Sequence, residues 1–250
     1  MLPKLHINGS LAEIQLGDHN AGNKLTAADL PVLCAHFRIV DANPEVLVLI
    51  LKSEGKHFCS GFDISQVASK SQLEGESFGE MVDQLENCRA ITIARIQGGV
   101  YGGATDLALA CDFRLGGQAA NMFMPAAKLG LHFYLSGLER YVSRLGLDTA
   151  KRLFLTGEKL DAPSMRACGF LTHLVDDETL DAEVGKLVST LSALAPIPLL
   201  GMKKHLNRIA RGCADAHEAA MDVQRSIVSA DLTEGGRAWK EKRIPMFTGR

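Results

Sequence analysis

The sequence predicts an α/β fold with a helical region at its C-terminal end. Apolar stretches of strand length alternate with helical patterns over the first 175 residues, and from Asp181 onward the pattern is helical. A strand, strand, helix order recurs loosely in the first part, which favours a spiral of repeated units over a doubly wound sheet. With 250 residues, 46% of them hydrophobic, the chain is long enough to bury one large core.

The first elements are a hairpin, a helix and a buried strand. Residues 5–16 alternate apolar and polar side chains around an Asn-Gly pair, which predicts a β-hairpin. Thr26 is the predicted N-cap of a helix over 27–41. Residues 46–51 are continuously apolar over the length of a strand, as in a strand that is covered on both faces.

Two strands run into glycine-bearing turns. The first turn spans 53–63, with glycines where the backbone must bend or be approached closely. The second lies at 98–103, where four of six residues are glycines, between a predicted strand at 91–97 and a buried helix from Ala104. The polar, glycine-spaced segment 65–79 is predicted to be mobile over the cleft. The other predicted elements are helices over 78–89, 135–145, 149–156 and 163–168 and strands over 113–115, 122–124 and 171–175.

Asp106 lies in the first turn of the helix that follows the second glycine turn. Such a turn leaves the first helical N–H groups unpaired, so they carry partial positive charge and point into the cleft that the turn opens. One acid beside these donors is how an enzyme can hold an oxyanion and move a proton next to it. In the other interpretation, which these residues alone leave open, Asp106 only favours the helix dipole and the glycines only make a tight turn.

Composition argues against several classes of partner. The 27 basic and 29 acidic residues nearly cancel and form no basic block, which argues against a nucleic-acid or anionic-membrane partner reached by bulk charge. The six cysteines are scattered without a CxxC pair and the eight histidines show no metal-ligand spacing, so neither a disulfide framework nor a metal site is indicated. Because no apolar run reaches membrane length or resembles a signal-peptide core, the sequence predicts a soluble, cytoplasmic protein.

Three common enzyme motifs are absent from the sequence. The glycine turn does not spell GxGxxG, because Val100 occupies the place of the second glycine, so dinucleotide binding is not indicated. A P-loop is missing its first glycine, since Ile50 stands at that position. No GxSxG elbow surrounds Ser60 or Ser136, which leaves a hydrolase triad without support.

Four segments carry a more specific pattern. Residues 46–64 end in a small residue followed by Gly-x-Asp, 96–115 contain the second glycine turn, and 152–175 contain Leu-Thr-Gly and Gly-Phe-Leu. Together with the tail at 231–247, these segments resemble the crotonase (enoyl-CoA hydratase/isomerase) superfamily over nearly the whole chain.

The resemblance implies a crotonase-like spiral of ββα units with C-terminal helices that pack between subunits, in a homotrimer or in a hexamer that is a dimer of trimers. On this basis residues 1–190 form the spiral core with the acyl-CoA site, and 191–250 form the C-terminal helical region. The implied enzyme acts on a coenzyme A thioester through an enolate and uses no other cofactor.

The resemblance also implies an oxyanion hole made by the backbone N–H groups of Ser60 and Ala104. Because the donors are backbone groups, Ala104 in place of the family's usual glycine keeps its N–H. Losing one such donor typically costs about 3–4 kcal/mol of transition-state stabilisation. The implied CoA-binding residues are Ser60, Gly61, Phe62, Asp63 and Ile64, with Lys24 or the cluster at 240–243 near the phosphates.

Asp106 and Ala126 are where the chain departs from the family's hydratases, which use two glutamates flanking a water. The first glutamate position is Asp106, one methylene shorter, and the second is Ala126, which cannot carry a proton. Water addition with both acids is therefore unsupported, and the single base that the family's isomerases need is typically the one at the position of Ala126. Asp106 alone can still act as a base if burial raises its pKa.

Three further side chains are alternative candidates for proton transfer. Tyr134 lies near where a related dehalogenase group carries its attacking aspartate, His132 carries an imidazole, a common acid or base in catalysis, and Tyr101 lies about where some family decarboxylases place a proton donor. For each of them a packing role remains open. The sequence thus leaves three hypotheses: a hydratase/isomerase-type enzyme that uses Asp106, a decarboxylase or other chemistry on the same fold that uses one of these three, or a catalytically degraded acyl-CoA-binding protein.

Overall fold

The computed structural model describes residues 1–66 and 77–250, so the segment predicted to be mobile, 65–79, falls mostly outside the described residues. The strands are β1 (Lys4–Asn8), β2 (Leu11–Gln15), β3 (Val48–Lys52), β4 (His57–Cys59), β5 (Ile91–Ile96), β6 (Gly99–Tyr101), β7 (Phe113–Gly116), β8 (Asn121–Phe123), β9 (Lys159–Asp161) and β10 (His173–Leu174). The α-helices are α1 (Asp29–Ala42), α2 (Phe78–Glu86), α3 (Gly103–Ala110), α4 (Leu135–Leu145), α5 (Leu147–Thr156), α6 (Ala162–Ala167), α7 (Leu180–Ser192), α8 (Pro196–Ala210), α9 (Ala216–Ile227) and α10 (Ala230–Glu241).

The larger sheet has the strand order β1-β2-β3-β5-β7-β10. Strands β1 and β2 pair in antiparallel fashion as the predicted hairpin, and the other neighbours in this sheet are parallel. The smaller sheet has the order β4-β6-β8-β9, in which β4, β6 and β8 are parallel and β9 is antiparallel.

Each of two consecutive units passes through both sheets before it enters a helix. The chain runs from β3 to β4 to α2, and then from β5 to β6 to α3. Strands β7 and β8 repeat the step and continue through a short 3₁₀ turn into α4. This ββα repetition confirms the predicted spiral.

The two faces of the larger sheet bury different side chains because successive residues in a strand point to opposite faces. Val48 and Ile50 of β3 face a cluster that includes Leu180, Val184 and Leu191 of α7. The alternate residues of β3 pack in the main core, together with buried side chains of α1, α2 and α3. Coverage of both faces explains why this strand is continuously apolar.

Some predicted elements differ from the observed ones. The first helix begins at Asp29, and its N-cap is Ala28 rather than Thr26. The Asp29 carboxylate accepts hydrogen bonds from the backbone N–H and hydroxyl of Thr26, each at 2.7 Å, so the capping contact runs in the opposite direction from the predicted one. The short strands β4, β6 and β9 were not predicted, and the two glycine turns contain β4 and β6.

The C-terminal helices expose several large apolar side chains. On α8, α9, α10 and the tail, the exposed ones are Met202, Leu206, Ile209, Met221, Val223, Ile227, Val228, Leu232, Trp239, Ile244 and Met246. The tail is held against α10, where the Asp231 carboxylate accepts the backbone N–H groups of Thr248 and Gly249 at 2.7 and 2.8 Å. In the described part of the chain no single helix is long and apolar enough to cross a membrane. The helical segments 177–192 and 196–210 together have the length and apolar composition of a membrane span, but they are bent by 110° relative to each other.

Candidate active site

The two glycine turns meet at one edge of the smaller sheet. Strands β4 and β6 are parallel neighbours, so the chain leaves both at the same edge. Gly61 has φ +103°, and a β-carbon there would lie 2.7 Å from the Tyr101 carbonyl oxygen and 3.7 Å from the Gly103 nitrogen. Only glycine fits this backbone and this contact, and the contact brings the turn after β4 against the start of α3.

The first turn offers the amide of Phe62, which is not the predicted one. The Ser60 N–H donates to the carbonyl oxygen of Gly22 at 3.0 Å, so it is not available to a substrate oxygen. On either side of Phe62, the Leu25 N–H donates to Gly61 and the Asp63 N–H donates to Leu25. Among the described residues the Phe62 amide has no acceptor.

The second turn offers two amides without an acceptor in the described chain, those of Gly103 and Ala104. The next amide, of Thr105, donates to the Gly102 carbonyl at 3.0 Å. Ala104, the predicted donor, is completely buried, whereas Gly103 is partly exposed. Of the two, Gly103 is therefore the amide that a ligand can reach. The Phe78 ring lies directly over it, since a β-carbon on Gly103 would be 2.8 Å from Phe78 Cζ.

Asp106 lies one turn further along α3 and is completely buried. Its Oδ2 accepts hydrogen bonds from the Tyr134 hydroxyl and from Arg140 Nη1, the latter at 2.5 Å. Its Oδ1 is buried and has no hydrogen-bond partner in the described chain. Burial raises the pKa of this carboxyl, and the Arg140 guanidinium and Tyr134 hydroxyl oppose that rise only in part.

Arg140 is a functional candidate that the sequence analysis missed. It is completely buried on α4 and also contacts Asp83, at 2.5 Å, and Glu86, at 3.2 Å. Burial alone would lower the pKa of Arg140, but Asp106 and Glu86 outweigh it and raise the pKa. The helical periodicity contained a signal, because Arg140 lies three residues after the buried Gly137 and so falls on the inward face of α4.

Aromatic rings line the space between the Phe62 amide and Asp106. The Phe62 and Phe78 rings are 5.5 Å apart, the Phe78 and Tyr134 rings are 6.3 Å apart, and Phe133 stacks on Tyr134 at 4.3 Å. Burial and the Asp106 charge raise the pKa of the Tyr134 hydroxyl well above its usual value. The Tyr134 hydroxyl therefore connects this row of aromatic rings to the buried acid.

Comparison with known proteins identifies the family. The family model described as enoyl-CoA hydratase/isomerase matches residues 6–250. The chain belongs to the enoyl-CoA hydratase/isomerase family. It is 31% identical to an enoyl-CoA isomerase/hydratase of Mycosarcoma maydis, with 81% of this chain and 77% of that protein covered. It is 28% identical to an enoyl-CoA hydratase of Mycobacterium tuberculosis, with 92% and 90% covered.

A solved structure supports the fold of this family member. The crystal structure of an enoyl-CoA hydratase/carnithine racemase from Magnetospirillum magneticum superposes with a TM-score of 0.93 at 25% identity, and the match covers 100% of this chain and 96% of that chain. Proteins of this family act on acyl-CoA substrates.

The other residues that the sequence analysis named form no hydrogen bond with Asp106 in the described part of the chain. His132 is exposed, with Nδ1 2.7 Å from the Phe133 carbonyl oxygen. The Tyr101 hydroxyl donates to Asn121 Oδ1 at 2.8 Å, on the neighbouring strand of the smaller sheet. Ala126 is buried in the 3₁₀ turn and carries no ionisable group.

The segment implied in CoA binding includes an ion pair near the surface. Lys24 Nζ lies 3.0 Å from an Asp63 carboxylate oxygen, and Asp63 also accepts the Ser65 hydroxyl at 2.8 Å. These contacts, first with Ser65 and then with Lys24, lower the pKa of Asp63. Ile64 is half exposed beside them. In the 240–243 cluster, Arg243 pairs with two glutamates of α10.

Proposed function

We propose that this protein moves a double bond in an acyl-CoA thioester, as an isomerase of the enoyl-CoA hydratase/isomerase family. Asp106 removes a proton from the carbon next to the thioester carbonyl and returns it two carbons further along the acyl chain. The C–H bond electrons form the enolate, the carbon–carbon double bond shifts, and the proton is carried on Asp106 between the two steps. No cofactor beyond the coenzyme A thioester itself takes part in this proposal.

The observation that carries the proposal is the pair of free amides at adjoining turns. The Phe62 and Gly103 N–H groups lack acceptors in the described chain, are both partly exposed, and belong to turns that touch through Gly61. Two such donors suit the oxygen of an enolate, which carries negative charge that the thioester carbonyl lacks. This assignment replaces the predicted pair, since the Ser60 amide already has an acceptor and Ala104 is completely buried.

Asp106 supplies the single base that a proton shift requires. Its Oδ2 is held by two donors, which leaves Oδ1 as a buried acceptor without a partner in the described chain. A buried polar atom without a partner is uncommon and suggests a role with a bound molecule. Burial raises the pKa of this carboxyl toward neutral pH, where a general base works best.

Ala126 argues against hydration by two acids, and in this proposal Asp106 supplies the base of the isomerisation. Addition of water requires a second group to hold and activate the water, and the methyl group of Ala126 offers neither donor nor acceptor. A proton shift from one carbon to another needs only one group, because the same carboxyl takes the proton and gives it back.

Binding of the rest of the substrate is proposed on the two sides of the amides. We place the acyl chain against the rings of Phe62, Phe78 and Tyr134, which present apolar surface near Gly103. We place the adenosine end along Asp63 and Ile64, with Lys24 near the phosphates. In that arrangement Lys24 exchanges part of its contact with Asp63 for an anionic oxygen.

We further propose that the exposed apolar faces of α8, α9 and α10 pack against other copies of the chain, as a homotrimer or a dimer of trimers. Trp239 is 86% exposed and Val228 is 81% exposed, and exposed apolar surface of this extent on neighbouring helices is typical of an interface. Sedimentation velocity tests this point, and a monomer at micromolar concentration would contradict it.

Asp106→Asn is the direct test of the proposed role of this carboxylate. The variant keeps the side-chain shape but removes the base, so we expect double-bond migration in a 3-enoyl-CoA to fall by about 10²- to 10⁴-fold. Asp148→Asn makes the same chemical change at an exposed position in the first turn of α5 and is expected to keep full activity. Unchanged turnover in Asp106→Asn would contradict the proposed base.

Product analysis and binding measurements separate the two alternative hypotheses. A decarboxylase releases carbon dioxide from a carboxylated acyl-CoA, and mass spectrometry detects this loss. Its activity does not depend on Asp106 as a base. A degraded binding protein binds acyl-CoA in calorimetry but turns over no member of a broad substrate panel.

A further inference from the structure

We propose that Arg140 is a positioning residue that turns Oδ1 of Asp106 toward the substrate, and that Glu86 and Asp83 of α2 fix Arg140 in place. This inference rests on the proposed role of Asp106 and extends it to residues that lie behind the carboxylate. It is carried by the geometry around one buried guanidinium.

The Arg140 guanidinium contacts three carboxylates. Nη1 lies 2.5 Å from Asp106 Oδ2, and Nη2 lies 2.5 Å from Asp83 Oδ1 and donates to Glu86 Oε2 at 3.4 Å. Nε lies 3.2 Å from Glu86 Oε1, an ion-pair contact without a hydrogen bond. The guanidinium is planar, so these three directions are fixed relative to one another. It cannot rotate toward one partner without losing another.

The contact with Asp106 determines which carboxylate oxygen is free. Both donors to Asp106, Arg140 and the Tyr134 hydroxyl, bind the same oxygen, Oδ2. A partial rotation of the carboxyl would break both contacts inside a fully buried site, and a half turn only exchanges two equivalent oxygens. Oδ1 therefore remains the oxygen without a partner among the described residues, in a defined direction.

Glu86 is also anchored by two further arginines. Arg144, one turn further along α4, lies 3.3 Å from Glu86, and the Arg211 side chain at the end of α8 donates to the same carboxylate, through Nε at 2.9 Å. Arg211 also donates to the Ser136 carbonyl oxygen at 2.7 Å. The position of the Arg140 guanidinium is thus fixed by side chains of α2, of α4 and of the end of α8.

A purely structural role for this cluster makes different predictions. Buried ion pairs often contribute little net stability, and breaking one destabilises a fold without regard to catalysis. If Arg140 only held the helices together, its variants would lose stability but the folded enzyme would keep its turnover number and its pH profile.

The test is the pH profile of kcat in three variants, measured on folded enzyme. The charged and titratable groups that face Asp106 are Arg140 and Tyr134 around α4 and Glu86 on α2, with Tyr141 of α4 close by. Because the base must be ionised, kcat falls as the pH is lowered through the pKa of Asp106. This falling part of the profile is the acid limb.

Arg140→Lys keeps the positive charge but loses the planar fork. We expect kcat to fall by about 100-fold, as for a displaced catalytic group, with KM within about twofold and the acid limb near its wild-type position. Arg140→Met removes the charge as well and is expected to move the acid limb to higher pH. Glu86→Gln removes an anion that raises the pKa of Asp106, so its acid limb is expected to move to lower pH.

Arg152→Lys is the matched control, because Arg152 on α5 forms an ion pair with Glu158 through its Nε, at 3.1 Å, and belongs to no part of the cluster around Asp106 and Arg140. It is expected to keep the wild-type kcat and profile. A wild-type kcat in Arg140→Lys together with an unshifted acid limb in Glu86→Gln would overturn the positioning role, whether or not Arg140→Met folds. If Asp106→Asn itself keeps full activity, the failure lies in the proposed base instead.

Discussion

Replacement of Gly61 by alanine tests the contact between the two glycine turns. The added β-carbon would lie 2.7 Å from the Tyr101 carbonyl oxygen, at a backbone φ of +103° that side chains rarely adopt. A left-handed backbone costs a residue other than glycine about 1–2 kcal/mol, and overpacking a tight site typically costs about 1–3 kcal/mol.

Together these effects predict that Gly61→Ala loses roughly 2–5 kcal/mol of folding free energy. For a chain of this size about 1 kcal/mol corresponds to roughly 2–4 °C, so the melting temperature should fall by on the order of 10 °C. Because the substitution also pushes the Phe62 amide away from the Gly103 amide, kcat on an acyl-CoA substrate should fall by about 10²-fold or more.

Gly9→Ala is the control for the backbone term alone. Gly9 has φ +56°, and a β-carbon added there would meet no atom within 4 Å, so only the conformational cost of about 1–2 kcal/mol applies. Differential scanning fluorimetry and steady-state kinetics measure both variants. If Gly61→Ala has the same melting temperature as Gly9→Ala and keeps the wild-type kcat, the two turns do not form a shared oxyanion site.

The buried cluster and the aromatic wall give three further predictions. Arg140→Met leaves buried carboxylates without their shared counter-ion and should cost about 3–5 kcal/mol in urea unfolding, whereas Arg152→Met breaks an exposed pair and should cost less than about 1 kcal/mol. Burial would raise the pKa of Glu86, but the guanidinium groups of Arg140, Arg211 and Arg144 outweigh it and hold this pKa below its ordinary 4.5. The stability that ionised Glu86 contributes is therefore present above pH 4.5 and is lost as the pH falls through the lower pKa of the folded state. Glu86→Gln should therefore flatten the fall of the urea midpoint below pH 4.5, and an unchanged slope would contradict this. Phe78→Leu should raise kcat/KM for long acyl chains relative to short ones, because the ring lies over Gly103, and an unchanged ratio across a chain-length series would show that Phe78 does not limit the acyl site.

Local patterns were sufficient to predict most of the spiral. The continuous apolar run in β3, the alternation in the hairpin and the glycine turn before α3 each carry their own signal, because burial and backbone geometry act on neighbouring residues. Strands β6 and β9 have only three residues each, and their pairing depends on strands that lie far away in the sequence. No local pattern distinguishes such short strands from turns.

The sequence indicates which segments form the candidate site, but not which backbone amides in them are free. Both turns and Asp106 are apparent from glycine spacing, but the partner of the Ser60 amide is a carbonyl almost forty residues upstream, at Gly22. Sequence alone cannot show which amides the tertiary structure has already paired. For the same reason the three carboxylates around Arg140 became visible only once α2, α3 and α4 were in place.

Product analysis tests the central claim most directly. The protein is incubated with a 3-enoyl-CoA, and the product is identified by mass and by the ultraviolet absorbance of a double bond conjugated to the thioester. The proposed mechanism predicts a 2-enoyl-CoA of unchanged mass, formed by the wild type and not by Asp106→Asn. A product heavier by one water, formed directly from the 2-enoyl-CoA at a comparable rate, would contradict isomerisation as the main reaction, and binding without any turnover would contradict the proposed enzyme.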